Sequence, residues 1–315
     1  MPTYNKPFLS LPDQLALIKS RGMIVPDDAA AIDALHRNGY YRLSAYWFPF
    51  RQIVAGQRGD AFLTNSNFDD VTNLYRFDKE LKLLLLDAIE RVEIAVRVDI
   101  AIQLGQRDPF AHEHASSFHT RFTTPSNPGG SSGFDRWLDR YAKRVVDSNE
   151  EFVIHHESTY GSRRPLPIWI AIELWDFGLL SYAYSGMKNA DQVAVAARYG
   201  IADWRILESW LRSLNSIRNV IAHHGRMWNT NVTQIPRLPG LTAIPAFDPI
   251  VGSRVAQTRI YCTCCILSYL TSVINPQSSW IADLKNHVAA FPNMPHAKIQ
   301  DMGFPSNWQT HDFWK

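Results

Sequence analysis

One long stretch of helical periodicity, residues 67–105, sets the frame into which the rest of this chain must pack. It reads NFDDVTNLYRFDKELKLLLLDAIERVEIAVRVDIAIQLG. Asn67 is a residue type that caps helix starts, and Gly105 is one that ends them. Near its middle the stretch is apolar almost all round, as in a helix covered on every side. The sequence therefore predicts one central, buried helix.

Shorter segments with helical periodicity lie on both sides, and strand-like alternation is scarce. We therefore predict an all-α fold, with a helical core over residues 61–290. An N-terminal helical and aromatic region, residues 1–60, packs on this core, and an aromatic tail, residues 291–315, docks on it. Residues 121–133 are rich in Pro, Gly and Ser and form a loop. The shorter predicted helices lie in LPDQLALIKSRG, PDDAAAIDALHRNG, YYRLSAYWFPFR, residues 134–147, LPIWIAIELWDFGLLSYAYSGM, DWRILESWLRSLNSIRNVIAHHGRMW and SRVAQTRIYCTCCILSYLTSVI.

Composition places the chain among globular proteins. Its 315 residues are 46% hydrophobic and 20% charged, which is enough to bury a sizeable core. The formal net charge is only +2, so any nucleic-acid-binding surface must be a local patch. No apolar run has the length of a signal peptide or of a membrane span. We therefore expect a cytoplasmic protein with no membrane partner.

Cysteine and histidine side chains are common metal ligands, and both occur in clusters here. Cys262, Cys264 and Cys265 crowd one segment, so they are no disulfide framework. On a helix Cys264 and Cys265 diverge, which favours small buried residues over a metal site. The segments HEHAS and VIHHES offer histidines without a complete ligand set. We expect no metal and no cofactor.

The stretch SIRNVIAHHGRMWN, residues 216–229, carries many polar groups for the end of an apolar helix. Successive helix residues rotate by about 100°. This rotation predicts one buried stripe made of Leu207, Trp210, Leu214, Ile217 and Ile221. Continuing the stripe reaches His224 and Trp228, so we predict that His224 is a hydrogen-bonded core histidine.

The opposite arc of this helix has residue types that suit RNA chemistry. Asn219 and His223 are four residues apart and therefore adjacent, Arg218 lies beside them, and the small Ala222 leaves room for another molecule. Histidine exchanges protons near neutral pH, and arginine can hold a phosphate through a fork of donors. Such a set suits attack by a ribose 2′-hydroxyl on its neighbouring phosphate. The alternative is a solvated helix face, although Asn and His are poorer helix formers than Glu, Lys or Gln.

RNVIAH, from Arg218 to His223, resembles the Arg-x-x-x-x-His signature of HEPN domains. A second match, RDPFAH from Arg107 to His112, contains Pro109 and cannot be a regular helix interior, so we treat it as chance. Longer segments resemble the Abi-like family of bacterial abortive-infection proteins (the AbiD/AbiF group), in the family's order. They are KSRGMIV, NGYYRLSAYWFPF, LYRFDKELKLLLLDAIERVEIAVR, PLPIWIAIELWDFGLLS, SLNSIRNVIAHHGRMWN and MGFPSNW.

The resemblance implies an α-helical HEPN core and an RNA-directed role in phage defence or a toxin–antitoxin system. HEPN nucleases are typically metal-independent endoribonucleases that act as dimers, with two Arg/His sets at one composite site. Other HEPN domains bind without cutting, and some Abi-like relatives are thought to work with a small non-coding RNA that restrains them. Carried onto this chain, the resemblance marks Arg218, Asn219 and His223.

Four further residues are candidates to support these three. Glu93 and Arg97 lie with Glu90 on a polar stripe of the long helix, which is either a surface strip or a group that orients the site. Glu173 lies in a very apolar segment, where a carboxylate needs a partner such as an arginine of the motif helix. Arg226 shares the arc of Arg218.

Candidate RNA contacts lie on the motif helix and in the aromatic N-terminal run. Arg212 is a spare cation on the motif helix. Tyr40, Arg42 and Trp47 belong to YYRLSAYWFPFR, whose rings could stack on unpaired bases. The alternative for these rings is an aromatic core.

We interpret the chain as a metal-independent HEPN endoribonuclease that acts on RNA as a homodimer, with a non-coding RNA as a further partner. In this interpretation His223 is the general acid/base, Arg218 clamps the phosphate and Asn219 orients an oxygen. One alternative is a non-cleaving RNA-binding or regulatory protein on the same fold. Another is a target or partner of a neighbouring phosphoryl- or nucleotidyl-transferring enzyme.

Overall fold

The computed structural model describes residues 7–161 and 164–314. Within them the chain forms fourteen α-helices and one two-stranded hairpin, which confirms the all-α fold class. The helices are α1 (Leu11–Ser20), α2 (Asp28–Asn38), α3 (Tyr40–Trp47), α4 (Phe68–Gly105), α5 (Thr120–Thr123), α6 (Gly133–Val146), α7 (Glu151–Tyr160), α8 (Ile168–Ala171), α9 (Phe177–Gly186), α10 (Asn189–Ala197), α11 (Trp204–Ala222), α12 (Arg254–Thr258), α13 (Ile260–Ile274) and α14 (Trp280–Ala289). The strands are β1 (Arg51–Val54) and β2 (Gln57–Phe62).

The helix α4 is the predicted central element. Asn67 sets its start, because its side chain accepts a hydrogen bond from Asp69 N at 2.9 Å. Seven other helices pack around it, namely α3, α8, α9, α10, α11, α13 and α14. Along one edge, however, Leu83, Ile94 and Val98 remain exposed. The prediction that α4 is covered on every side is therefore wrong at this edge.

The segment predicted as one helix, LPIWIAIELWDFGLLSYAYSGM, is broken at Trp175 and Asp176. The Asp176 carboxylate caps α9 by accepting a backbone hydrogen bond at 2.8 Å, so a new helix begins instead of the old one continuing. The break lets Glu173 approach Arg97 of α4, and it lets Asp176 approach Arg144 of α6.

Several elements were not predicted. The strands β1 and β2 pair in antiparallel fashion, with Arg51 opposite Phe62 and Val54 opposite Gln57. The hairpin is short and mostly exposed, so its residues show little apolar alternation. The helices α7, α10 and α14 are nine or ten residues long, which gives a brief periodic signal.

Aromatic side chains fill the core around these helices. Trp137, Trp175 and Trp210 are fully buried, and so is Trp314 in the C-terminal segment. Lys285 Nζ of α14 donates to the Trp314 carbonyl at 2.6 Å, which ties that segment to the body. The three cysteines are free and buried in α13, as predicted.

In the described part of the chain, no helix is both long and apolar enough to cross a lipid bilayer.

Candidate functional site

The motif helix α11 ends at Ala222, whereas the sequence predicted that it runs on to Trp228. Its end is a Schellman motif, in which Gly225 N donates to the Val220 carbonyl at 2.8 Å. His224 N donates to the carbonyl three residues before it at 2.9 Å and takes the left-handed conformation, with φ 59°. A Cβ at Gly225 would lie 3.0 Å from the Val220 carbonyl oxygen, so this tight closure favours glycine there.

The prediction that His224 belongs to the core is therefore wrong. The helix stops before its buried stripe reaches position 224, and the His224 side chain is exposed. Asn219, Ala222 and His223 are exposed as well, and Arg218 is half-buried beside them. The last turn of α11 thus presents the three predicted catalytic residues at one open end.

The loop that follows this helix end is pinned by Asp78, a residue that the sequence analysis missed. Asp78 is fully buried on α4, and its carboxylate accepts hydrogen bonds from Trp228 N at 2.6 Å and Met227 N at 3.0 Å. The Tyr46 hydroxyl donates to the same carboxylate at 2.7 Å, and Lys82 Nζ lies 3.4 Å from it. Burial first, and then the Asp78 charge, raise the pKa of Tyr46, so its hydroxyl stays a donor.

Three cations hold the carbonyls around the same loop. Lys82 Nζ donates to the Gly225 carbonyl at 3.3 Å, and Arg42 Nη1 donates to the His224 carbonyl at 2.8 Å. Arg226 points away from the open arc, donates to the Ala45 carbonyl and stacks over Trp228. Arg42 therefore lies at the candidate site, whereas Arg226 is an anchor between the loop and α3.

Glu93 and Arg97 of α4 lie beside Arg218 of α11. Arg97 Nη2 donates to Glu93 Oε1 at 2.6 Å and to the Trp175 carbonyl at 2.7 Å. Burial raises the pKa of Glu93, while the charges of Arg97 and Arg218 lower it and that of Asp176 raises it. The half-buried pair is thus close enough to Arg218 to sense its charge, as the predicted supporting role requires.

Glu173 departs from its prediction. It lies in the 3-10 turn Ile172–Leu174 and its side chain is 54% exposed, so burial does not force it to find a partner. Its cation is Arg97 of α4, at 3.7 Å, and not an arginine of α11.

The two aromatic candidates of α3, Tyr40 and Trp47, pack against each other, whereas Tyr41 of the same helix is 91% exposed. Trp47 is 0% exposed, so the expectation that it stacks on RNA is wrong. Tyr40 packs its ring edge-on against Trp47, with centroids 5.1 Å apart, and its hydroxyl accepts from Arg21 at 3.1 Å. These rings cover the junction between the N-terminal helices and α4, because only enclosure removes so much apolar area from water.

The remaining predicted or discarded residues fall clear of the open arc. Arg212 is exposed one and a half turns before Arg218 and pairs with Glu208 of its own helix. In RDPFAH, Arg107 pairs with Asp191 and His112 is fully enclosed by aromatic rings, so the two do not form a site. Within residues 7–161 and 164–314, no three His, Cys, Asp or Glu side chains are grouped as a metal site would need.

The motif helix, the α4 segment that carries Asp78, and the Trp175 turn together form one helical unit with a polar end. A family model described as Abi-like protein matches residues 33–229, a range that contains all three. The chain belongs to the Abi-like protein family. Membership in this family points to abortive infection, a form of phage defence. No curated protein and no solved structure compared with this Abi-like chain matches it.

Proposed function

We propose that this Abi-like protein is a metal-independent endoribonuclease of the HEPN type, acting in the cytoplasm in phage defence or a toxin–antitoxin system. The observation that carries the proposal is the open end of α11. There His223 and Asn219 are exposed, and Arg218 is half-buried against the Glu93–Arg97 pair. The half-buried Glu93–Arg97 pair lies beside Arg218, whose fork of donors is the group that would bind a phosphate.

The proposed reaction is an internal transfer at one RNA phosphate. The ribose 2′-oxygen bonds to phosphorus while the bond from phosphorus to the 5′-oxygen of the next nucleotide breaks. A base takes the proton of the 2′-hydroxyl, and an acid supplies a proton to the leaving 5′-oxygen. The products are a 2′,3′-cyclic phosphate and a 5′-hydroxyl. Arg218 stabilises the charge that grows on the phosphate, and Asn219 orients an oxygen.

Two proton transfers in one reaction favour two imidazoles at one site. Each chain offers one exposed His223 at the open end of α11, so we propose that two copies pair and place both His223 residues at one cleft. The exposed α4 edge supports such a pairing. Ile94, Val98 and Ile102 follow one another at four-residue steps, and Val98 and Ile102 border a cavity of about 450 Å³ together with Trp169 and Glu173. A second copy that covers this apolar edge would lie next to the Arg97–Glu173 contact.

The test is to incubate the purified protein with RNA and with DNA of the same sequence in EDTA, and to identify the product ends by mass. We expect cutting of RNA alone, with 2′,3′-cyclic phosphate ends, because DNA lacks the 2′-hydroxyl. Cutting that requires a metal ion, cutting of DNA, or 5′-phosphate ends would overturn the mechanism. RNA that co-purifies but is never cut, even after it has been stripped and replaced, would favour the non-cleaving RNA-binding function.

The same purified protein tests the proposed RNA partner. Sequencing of the co-purifying RNA should return one small non-coding species if such a partner restrains the enzyme. A random sample of cellular RNA would contradict it.

A further inference from the structure

Three arginines on α6 form a regular row near the candidate site. Arg136, Arg140 and Arg144 are four residues apart, so they follow one another at a step on the order of 6 Å along one side of the helix. All three are exposed, and the side chains of Arg140 and Arg144 are 54% and 55% exposed. We call this row the arginine ladder.

Each arginine of the ladder is held against α9. Arg144 Nη2 lies 2.5 Å from an Asp176 oxygen, and Arg140 Nη2 lies 3.9 Å from the other. Arg136 Nη2 donates to the Tyr182 hydroxyl at 3.3 Å. The order of these contacts shows that α6 and α9 run antiparallel, with the ladder following α9 from its cap Asp176 to Tyr182.

The other side of α9 packs on the motif helix α11. The Tyr184 hydroxyl donates to the Trp204 carbonyl at 3.5 Å, near the start of α11. At the other end of α9, a Cβ at Gly178 would lie 3.6 Å from Arg140 Nη2 and 3.7 Å from Asn215 Nδ2. Asp176 Oδ1 would lie closer still, at 3.1 Å, so the ladder and α11 approach each other over this end of α9.

The Asp176 end of the ladder lies near the open end of α11. Asp176, the acidic contact of Arg140 and Arg144, also acts on the pKa of Glu93, which senses Arg218. The ladder places three cations in one row, and Asp176 is the carboxylate that contacts two of them. This row, which leads toward Arg218, is a local cationic track on a chain whose formal net charge is only +2.

We infer that the arginine ladder binds successive phosphates of a single RNA strand and guides that strand along α9 to Arg218 and His223. Arginine forks bind phosphate oxygens well, and regular spacing with free exposed faces suits a repeating anionic backbone. The ladder is a single row of cations along one side of one helix, which suits one strand better than a duplex. Cleavage of the bound strand at Arg218 and His223 rests on the proposed nuclease function, but binding of the strand to the ladder does not.

The test uses a labelled single-stranded RNA whose riboses are all 2′-O-methylated, so that it cannot be cut by its own 2′-hydroxyls. Its affinity for the whole protein is measured by fluorescence anisotropy over about 50 to 200 mM salt. Arg136→Gln, Arg140→Gln and Arg144→Gln are combined in one variant. The control variant removes three exposed cations on α2, β2 and α12, which carry no residue of the ladder. Its changes are Arg37→Gln, Arg58→Gln and Arg254→Gln.

The slope of log K against log salt is negative, and each lost phosphate contact to a single strand should reduce its magnitude by about 0.7. The slope of the ladder variant should therefore be smaller in magnitude by about 2. The control variant should keep the wild-type slope. A third variant with lysine at the three ladder positions should also keep most of it, which separates lost charge from lost folding. An unchanged slope in the ladder variant, an equal loss in the control, or no binding by the wild-type protein would overturn the inference.

The outcome for the nuclease stays separate. If the ladder governs binding but no protein cuts unmodified RNA, the track stands and the proposed nuclease function fails.

Discussion

Replacing Asp78 by alanine should unfold the protein more readily than any single change at the open end of α11. The Asp78 carboxylate is fully buried and accepts from three donors, Tyr46 Oη and the backbone N–H groups of Met227 and Trp228. It also faces the Lys82 ammonium, whose side chain is only 10% exposed. Asp78→Ala leaves the three donors without their acceptor and the Lys82 ammonium without its counter-charge, in a site from which water is largely excluded.

The expected loss can be estimated from the groups left behind. Removing one partner of a buried ion pair typically costs about 3–5 kcal/mol, because the other charge remains buried and uncompensated. Each orphaned donor would add about 1–3 kcal/mol, but water that enters the alanine cavity recovers part of this. We therefore expect Asp78→Ala to lower the free energy of unfolding by about 3–5 kcal/mol. Asp78→Asn keeps one acceptor oxygen and should lose less.

The assay is urea unfolding followed by circular dichroism, with a double-mutant cycle. Lys82→Met alone removes the buried cation and leaves Asp78 with its three donors. Adding Lys82→Met to Asp78→Asn should therefore cost less than the sum of the two single changes, since no buried charge remains unpaired. The reasoning would be refuted if Asp78→Ala cost less than about 1 kcal/mol, the size of an ordinary substitution, or if the cycle showed strict additivity.

Four further predictions concern other positions in the chain. His224→Gly should raise the free energy of unfolding by about 1 kcal/mol, since it removes the left-handed strain at φ 59°, whereas His224→Ala should not raise it. Urea midpoints measure both changes. A large loss of stability in His224→Ala would restore the core role that the structure contradicts. Burial lowers the pKa of His112 to about 4, so stability that is present above pH 6.5 should be lost as pH falls toward 4. His112→Phe should reduce this loss of unfolding free energy by about 3 kcal/mol, measured at both ends of that pH range. An unchanged pH dependence would show that His112 is not its source. His223→Ala should reduce RNA cleavage by at least about 10²-fold while its urea midpoint stays within error. Arg218→Lys should also cut poorly, because an ammonium cannot reproduce the fork of donors. Full activity of either variant in a gel assay would contradict the proposed roles. Val98→Asp should shift sedimentation from dimer to monomer and reduce cleavage with it, while a wild-type protein that is already an active monomer would exclude the paired site.

Local sequence patterns determined the longer helices, but not the hairpin or the short helices α7, α10 and α14. The period of the apolar residues gave α4 and the buried stripe of α11, and Asn67 marked the start of α4 because an amide oxygen can serve a free backbone N–H there. The order of polar residues on α11 also gave Arg218, Asn219 and His223 as neighbours on one arc, which the structure keeps together at the helix end. These features depend on residues within a few turns of one another, so they can be read without knowing what lies across the core.

Local sequence left the end of α11 open. Glycine usually occupies the left-handed position of such an end, but here His224 takes it and Gly225 follows. The apolar period could therefore be continued to His224 and Trp228 without contradiction. Asp78, which is about 150 residues away along the chain, binds the loop at Met227 and Trp228 and so fixes where the helix stops. A contact of that range has no signature in either segment alone.

Which face is covered was likewise a tertiary decision. Trp47 and Tyr41 lie in one aromatic run, yet the first is fully buried and the second is 91% exposed, because α4 packs on one side of α3 only. The four-residue spacing of Arg136, Arg140 and Arg144 is plain in the sequence, but nothing local shows that α9 joins that row to α11. Sequence periodicity indicates which side chains share a face. Burial and hydrogen bonding among segments distant in the chain decide which element covers that face.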